Sequence, residues 1–332
     1  MITKTKNLVA LSIPSLSAII AVEMMNVLMY QFSPIKNSNY CLIGWLLLQS
    51  IAGFIFATFS DKHYRKLVLV ISQIFGVIVG IILYMFHLEI WIIVLIALFF
   101  NPLPVARAAL LDNFPNVSSL RILGITYFAQ YLPWFFFEYI IKYNYKNTTL
   151  FILTILSVNI FFTLLFFKDS YDQRQKSNKK SIFIPILVLV LLAYIFAETS
   201  FYIEWDFLEY QPTYKHWFTP ATLGTLLGIC VAMMYSKLPH ISSITLSYFL
   251  GVATIAMTIF LCFSSQDSSK TILVKSMSQY SIIGGLYLPF VADVVIKIVG
   301  SKRRALGSAL IEFCAVFATT GAWFLAYRTV SI

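Results

Sequence analysis

Apolar residues run along this chain in long blocks separated by short polar turns, and block length sets the first reading. With about 20 residues needed to cross a bilayer as a helix, eleven stretches are long enough. They lie at roughly 8–30, 41–60, 67–87, 90–110, 120–141, 148–167, 182–204, 217–235, 241–263, 276–298 and 305–327. The first follows Lys4 and Lys6 as a signal peptide would. It is long, holds Glu23 and lacks a clean small-residue cleavage site, so it reads as an uncleaved helix. The plainly soluble stretch is Lys168 to Lys180, built from Lys, Arg, Asp, Gln, Ser and Asn with no apolar period. The expected organisation is a six-helix bundle over 1–167, a cytoplasmic linker over 168–180 and a five-helix bundle over 181–332.

Composition agrees with lipid as the solvent. Hydrophobic residues make up 59% and charged residues 11% of the chain, against roughly 25% charged in soluble domains. The net charge of +10 therefore bears on topology and anionic lipid, not on nucleic acid. Placing the N-terminus in the cytoplasm puts 17 Lys and Arg inside, among them Lys62, Arg65, Lys66 and Lys302 to Arg304, and leaves 7 outside. The expected location is the cell membrane (the inner membrane in a bacterium), crossed many times.

A longer-range pattern repeats. Pro104 to Gly124 ends in Arg121-Ile-Leu-Gly124, and Pro289 to Gly307 ends in Arg304-Ala-Leu-Gly307. In both, a Pro-bearing apolar helix runs into a basic bend and then a second apolar run. The Pro-to-Gly spacings are 20 and 18 (124 − 104, 307 − 289), and the copies lie 185 residues apart (289 − 104). Such spacing is the mark of an internal duplication, a common way to build a transporter. Shifted by 185, the sixth stretch would find its partner at 333–352, beyond Ile332, so the second half is expected to lack its last helix.

The loop after the second stretch reads Ala57-Thr-Phe-Ser-Asp61-Lys62-His-Tyr-Arg65-Lys66-Leu-Val-Leu69. It resembles the G-x-L-x-D-R-x-G-R-R-x-x-L loop of the major facilitator superfamily, with Ala57 and Tyr64 in place of two glycines. The resemblance implies a two-bundle, all-α fold with a pseudo-two-fold repeat. It also implies a latch in which Asp61, with Arg65 and Lys66, faces the start of the eleventh helix and closes the cytoplasmic side. A narrower resemblance is to proton-dependent oligopeptide transporters. Phe100-Asn-Pro102-Leu-Pro104 through Asp112-Asn-Phe114-Pro115 is similar to their G-x-K-P to D-Q-F region, and Gly284-Gly285-Leu-Tyr-Leu-Pro289 to their G-E-x-x-x-x-P region. Their first-helix motif is matched at Glu23 and Tyr30 but not at Asn26 and Val27, and no Glu stands at Gly284 or Gly285.

Ionised groups within the spans carry the candidate chemistry, because each costs about 2.5–3.5 kcal/mol at mid-bilayer on insertion scales and needs a cavity or a partner. Glu23, Asn26 and Tyr30, spaced 3 and 4, share one helix face. Shielded carboxylates can titrate near neutral pH, so Glu23, Glu198 and Glu312 are the proton-coupling candidates. Asn26, Tyr30, Asn101, Arg107 and Gln130 are the substrate-binding candidates. Arg107 is open to three readings: an anchor for an anionic substrate group, a partner for Glu23, or a side chain snorkelling to the cytoplasmic face. Asn101-Pro-Leu-Pro104 is expected to interrupt its helix. Asp293 and Lys297, four apart, read as a helix-surface ion pair.

Glu138 in the fifth span and Glu204, Asp206 and Glu209 at the end of the seventh read as interfacial. Cys41, Cys230, Cys262 and Cys314 have no C-x-x-C spacing and the four His are scattered, so neither disulfide nor metal is expected. With no nucleotide loop and no nucleophile–base set, the expectation is a monomeric secondary transporter, not an enzyme, that needs no cofactor and works on a small solute and protons. An amino acid or short peptide suits the mix of charges. Efflux of a lipophilic cation, or a non-transporting membrane protein, are the alternatives.

Overall fold

A computed structural model describes residues 2–31, 38–85, 100–136, 145–167, 184–209, 218–235, 243–262, 277–278 and 280–330. They fall into α1 (Ile2–Gln31), α2 (Ser38–Lys62), α3 (Arg65–Met85), α4 (Leu103–Asn113), α5 (Ser119–Phe135), α6 (Tyr145–Phe166), α7 (Ile184–Glu209), α8 (Phe218–Tyr235), α9 (Ser243–Cys262), α10 (Leu288–Val299) and α11 (Arg304–Val330). The expected linker over 168–180, together with Lys36 and Glu138, lies outside the described residues, as do the side chains of Tyr30 and of Tyr202 to Glu209.

Large apolar side chains point outward along these helices: Phe151 and Phe161 on α6, Phe196 on α7, Phe249 and Val252 on α9. The buried set, by contrast, includes Glu23, Gln49, Arg65, Gln73, Arg107, Asn159, Glu198 and Asp293. Apolar outside and polar inside is the arrangement that lipid selects, and helices satisfy their own backbone groups there. The chain is a polytopic all-α membrane protein.

Packing between the two halves is symmetric. α2 lies on α11 and α5 on α8; α4 lies on α11 and α10 on α5. Each pair becomes the other when six is added to or subtracted from the helix numbers, so the sequence repeat is also a repeat of contacts. Small residues set the approach. Ala57, Ala108, Ala305 and Ala309 form one buried cluster where α2, α4 and α11 meet, and a Cβ on Gly124 of α5 would fall 2.4 Å from Met233 of α8. Close approach of this kind replaces the hydrophobic drive that is missing between helices in lipid.

Both repeat copies place Leu-Pro at a helix start. Leu103-Pro104 opens α4, after Asn101 and Pro102 outside any helix. Leu288-Pro289 opens α10 directly after a π-helical segment, Ser281–Tyr287. The tenth apolar stretch is thus not one regular α-helix. Pro289 cannot give an N–H to the carbonyl four residues back, and its ring crowds that carbonyl; the wider π turn relieves the conflict. Gly300 ends α10 at φ 78°, a conformation that disfavours side chains, and turns the chain into the 3-10 segment Ser301–Arg303 ahead of α11.

The π segment also explains Gly284-Gly285. A Cβ on Gly285 would lie 2.6 Å from the Gly228 Cα and 2.6 Å from the Thr225 carbonyl, and one on Gly284 would lie 3.1 Å from the Thr225 side chain. Gly285 has no room for a glutamate, because α8 lies directly against its backbone. The reciprocal contact gives a test. A Cβ on Gly228 would sit 2.0 Å from the Ser281 carbonyl oxygen, and backbone cannot swing aside. Overpacking costs about 1–3 kcal/mol, so Gly228→Ala should lower the melting temperature of the detergent-purified protein by several degrees. Gly321→Ala, with nothing within 4 Å of its Cβ, should leave it unchanged. Equal melting of the two variants would contradict the close approach.

Candidate functional site

Two groups of buried polar side chains lie along the seam between the halves. The first is at mid-helix between the halves and centres on Arg107. Five residues past the break at Asn101-Pro102, its side chain is fully buried. Nη1 donates to Glu312 Oε1 on α11, Nη2 donates to Gln130 Oε1 on α5, and the guanidinium carbon lies 4.1 Å over the Tyr127 ring. Among the described residues Nε has no hydrogen-bond partner. Full burial removes the snorkelling reading, and the partner is Glu312, not Glu23. Glu312 keeps 17% of its side chain accessible, so the pair borders open space.

Glu23 lies on the same site from α1. Its Oε2 accepts from Trp134 Nε1 of α5 at 3.0 Å and from Asn26 Nδ2 at 3.1 Å. Asn26 Oδ1 in turn accepts from Trp45 Nε1 of α2 at 2.9 Å. The 3-residue step from Glu23 to Asn26 thus does put both on one face, and the indoles of Trp134 and Trp45 hold that face in place. Glu23 and Arg107 are in electrostatic contact, and Glu312 interacts with Glu23 and, on the other side, with Glu198 of α7. Glu198 is buried, with the Tyr194 hydroxyl hydrogen-bonded to it.

Asn101 is occupied otherwise. Its Oδ1 accepts from the Leu103 N–H at the start of α4, and its Nδ2 donates to the Gln49 carbonyl of α2 at 2.9 Å. Both ends of the amide serve the helix break that positions Arg107. One site therefore unites Glu23, Asn26, Arg107, Gln130, Glu198 and Glu312, while Asn101 supports it from behind.

The second cluster closes one end of the seam. Asp61, at the end of α2, takes the first free N–H groups of α11: Ala305 N to Oδ1 at 3.2 Å and Leu306 N to Oδ2 at 2.9 Å. A carboxylate there satisfies orphan donors and the positive end of the helix dipole together. Arg65, fully buried, lies 3.2 Å from Asp61 and donates Nε to Asp112 Oδ2 at 2.6 Å. Asp112 closes the ring across the seam by accepting Arg304 Nη1 at 2.8 Å. Lys66 points away, its Nζ donating to the Leu164 carbonyl of α6 at 2.7 Å.

Asp112 and Arg304 were visible only as parts of other patterns, the Pro-rich stretch and the repeat. The related contact on the other side of the two-fold was missed. Buried Asp293 of α10 receives the Ser119 hydroxyl from the start of α5 and also holds Lys297 at 2.5 Å. It is more than a helix-surface pair: Lys297 is exposed but Asp293 is buried, and Ser119 belongs to the opposite half. Among the described residues no group of three or more His, Cys, Asp or Glu could hold a metal ion.

The sequence matches no protein-family model and no curated protein sequence. The fold matches solved structures along nearly its whole length. The human organic anion transporter MFSD10 (TETRAN) is similar with a TM-score of 0.69 at 13% identity, over 96% of this chain and 94% of that one. The E. coli fucose:proton symporter FucP is similar with a TM-score of 0.69 at 12% identity, over 98% of this chain and 92% of that one. At such identities the likeness speaks for architecture, and it agrees with the two halves, the symmetric seams and the lipid-facing exterior. The chain has the fold of the major facilitator transporters.

Proposed function

We propose that the protein is a proton-coupled secondary transporter of a small organic solute bearing a carboxylate, of the amino acid or short-peptide class, with Arg107 as the anion anchor. The observation that carries this reading is the fully buried Arg107, held by Glu312 from the opposite half with one N–H, Nε, unpaired among the described residues. A cation this deep is stable only with a partner, and a guanidinium fork is suited to a carboxylate. Its ion-pair partner, Glu312, sits on a helix that must move relative to α4 when the halves rock. The narrower resemblance to oligopeptide transporters points to the same substrate class, as does the mix of charges in the site.

In this mechanism residues 1–167 and 181–332 are the two rocking bundles and 168–180 the tether between them. The Asp61 latch holds the cytoplasmic end shut while Arg107 is reached from outside. An entering carboxylate takes the place of Glu312 on Arg107. Glu312, displaced, takes up a proton and becomes neutral, so the seam no longer carries an unpaired charge and the halves can part. Glu23, in electrostatic contact with both Arg107 and Glu312, is the second proton site. A lost Asp61 contact at the N-terminus of α11 then accompanies opening to the cytoplasm.

Two measurements test it in proteoliposomes. With leucine and alanyl-alanine as probes and an inward proton gradient, wild type should accumulate at least one, and Arg107→Ala should reduce that uptake by tenfold or more. Uptake of a lipophilic cationic dye that rises in Arg107→Ala would instead mark a cation exporter, since a repulsive charge is gone. The second measurement separates coupling from translocation. Glu23→Gln should abolish gradient-driven accumulation yet retain exchange of the same solute at equal pH. Undiminished accumulation would remove Glu23 from the mechanism.

A further inference from the structure

Three carboxylates meet at the centre of the molecule, and they are not equally satisfied. Glu312 has the Arg107 guanidinium. Glu23 has two N–H donors, from Trp134 and Asn26. Glu198 is as deeply buried as Glu23, at 5% against 4% exposure, yet among the described residues its hydrogen-bond partner is one hydroxyl, that of Tyr194, a single turn back on its own helix. Among the described residues no Lys, Arg or His forms an ion pair with it.

The surroundings of Glu198 are electron-rich. Glu312 of α11 interacts with it from one side, and so do Tyr287 of the π segment and Tyr127 of α5. The rings of Tyr287 and Tyr194 lie 6.0 Å apart. Both rings are held firmly: Tyr194 and Tyr287 are each buried, and the Tyr287 hydroxyl lies where a Cβ on Gly251 of α9 would be 3.1 Å away. The absent side chain at Gly251 leaves the space that the Tyr287 ring end fills. A buried carboxylate that interacts with buried tyrosines and with a second carboxylate lacks, among the described residues, a cation to complete it.

We propose that Glu198 is the subsite for the ammonium group of the substrate. The proposal rests on the reading of Arg107 as the anion anchor and narrows that substrate to a zwitterion. Its carboxylate would lie on α4 of the first half and its ammonium on α7 of the second. Glu312, which interacts with both Arg107 and Glu198, stands between the two subsites. Tyrosine faces favour an organic ammonium through cation–π attraction. A hard metal cation would want about six oxygen ligands, and no group of three His, Cys, Asp or Glu suited to a metal occurs among the described residues. A bridging zwitterion also explains why both halves contribute: substrate with one charge would engage only one of them.

A matched trio of probes separates the two subsites: leucine, its decarboxylated analogue isopentylamine, and its deaminated analogue 4-methylpentanoate. Binding to the purified full-length protein is read by titration calorimetry, and the melting temperature of each ligand-free variant confirms that it is folded. Wild type should bind leucine at least tenfold more tightly than 4-methylpentanoate. Glu198→Gln, which keeps the shape and the hydrogen bond to Tyr194, should abolish that preference without weakening 4-methylpentanoate binding. Glu198→Asp, which keeps the charge, should retain part of it.

Arg107→Lys should do the converse, reducing the preference for leucine over isopentylamine. A tenfold preference for leucine over the acid that survives in Glu198→Gln would overturn the subsite, as would equal binding of leucine and 4-methylpentanoate by wild type. Either result leaves the anion anchor standing. If wild type binds isopentylamine but Arg107→Lys has no effect on any probe, the anchor fails while the ammonium subsite survives. Binding of none of the three by wild type overturns both.

Discussion

Burying a guanidinium in the middle of a membrane protein is the constraint from which the rest follows. Arg107 can stay there because Glu312 neutralises it, Gln130 takes a second N–H group and the Tyr127 ring covers one face. Removing one partner of such a pair costs about 3–5 kcal/mol, a large fraction of the stability of any domain. The two partners stand on α4 and α11, which belong to different halves. The same ion pair therefore holds the halves together and records whether they are together. Any ligand that replaces Glu312 on Arg107 must also loosen the seam, and coupling between binding and motion needs nothing more elaborate than that competition.

The seam is built so that loosening is affordable. Its central contacts are small: alanines between α2, α4 and α11, and Gly124 against Met233 on the related side. Small faces slide or part with little repacking, whereas the interior of the first half is tied by long side chains such as Trp45, Asn159 and Gln73. At one end the seam is fastened by polar contacts instead. Asp61 on the α11 N-terminus, Asp112 on Arg304, and Asp293 with Ser119 all cross it. These are directional bonds near a water-exposed face, where water can take over each partner when they break.

How much of this was legible in the sequence depended on range. Local periodicity sufficed for the helices, for the shared face of Glu23 and Asn26, and for the loop that puts Asp61 at the end of α2. The repeated Leu-Pro and R-x-L-G marked the two-fold because duplication leaves traces at fixed spacing. The ion pair did not follow from pattern. Arg107 and Glu312 are 205 positions apart, and Glu23 was the ion-pair partner the sequence offered for Arg107 until the fold brought α11 alongside α4. Asp293 read as a surface residue because Lys297 lies one turn on; it is buried and accepts from Ser119, 174 positions away.

The glycines at 284 and 285 looked like a missing recognition residue and are a helix contact, a distinction that only the position of α8 could make. The most direct test of the account asks whether substrate displaces Glu312 from Arg107. Infrared difference spectroscopy on the reconstituted protein, with and without leucine, reports the protonation of individual carboxylates. The account predicts that leucine produces the carbonyl band of a newly protonated carboxylic acid in wild type, and that this band is absent in Glu312→Gln. A wild-type spectrum without that band, or a band of equal size in Glu312→Gln, would contradict it.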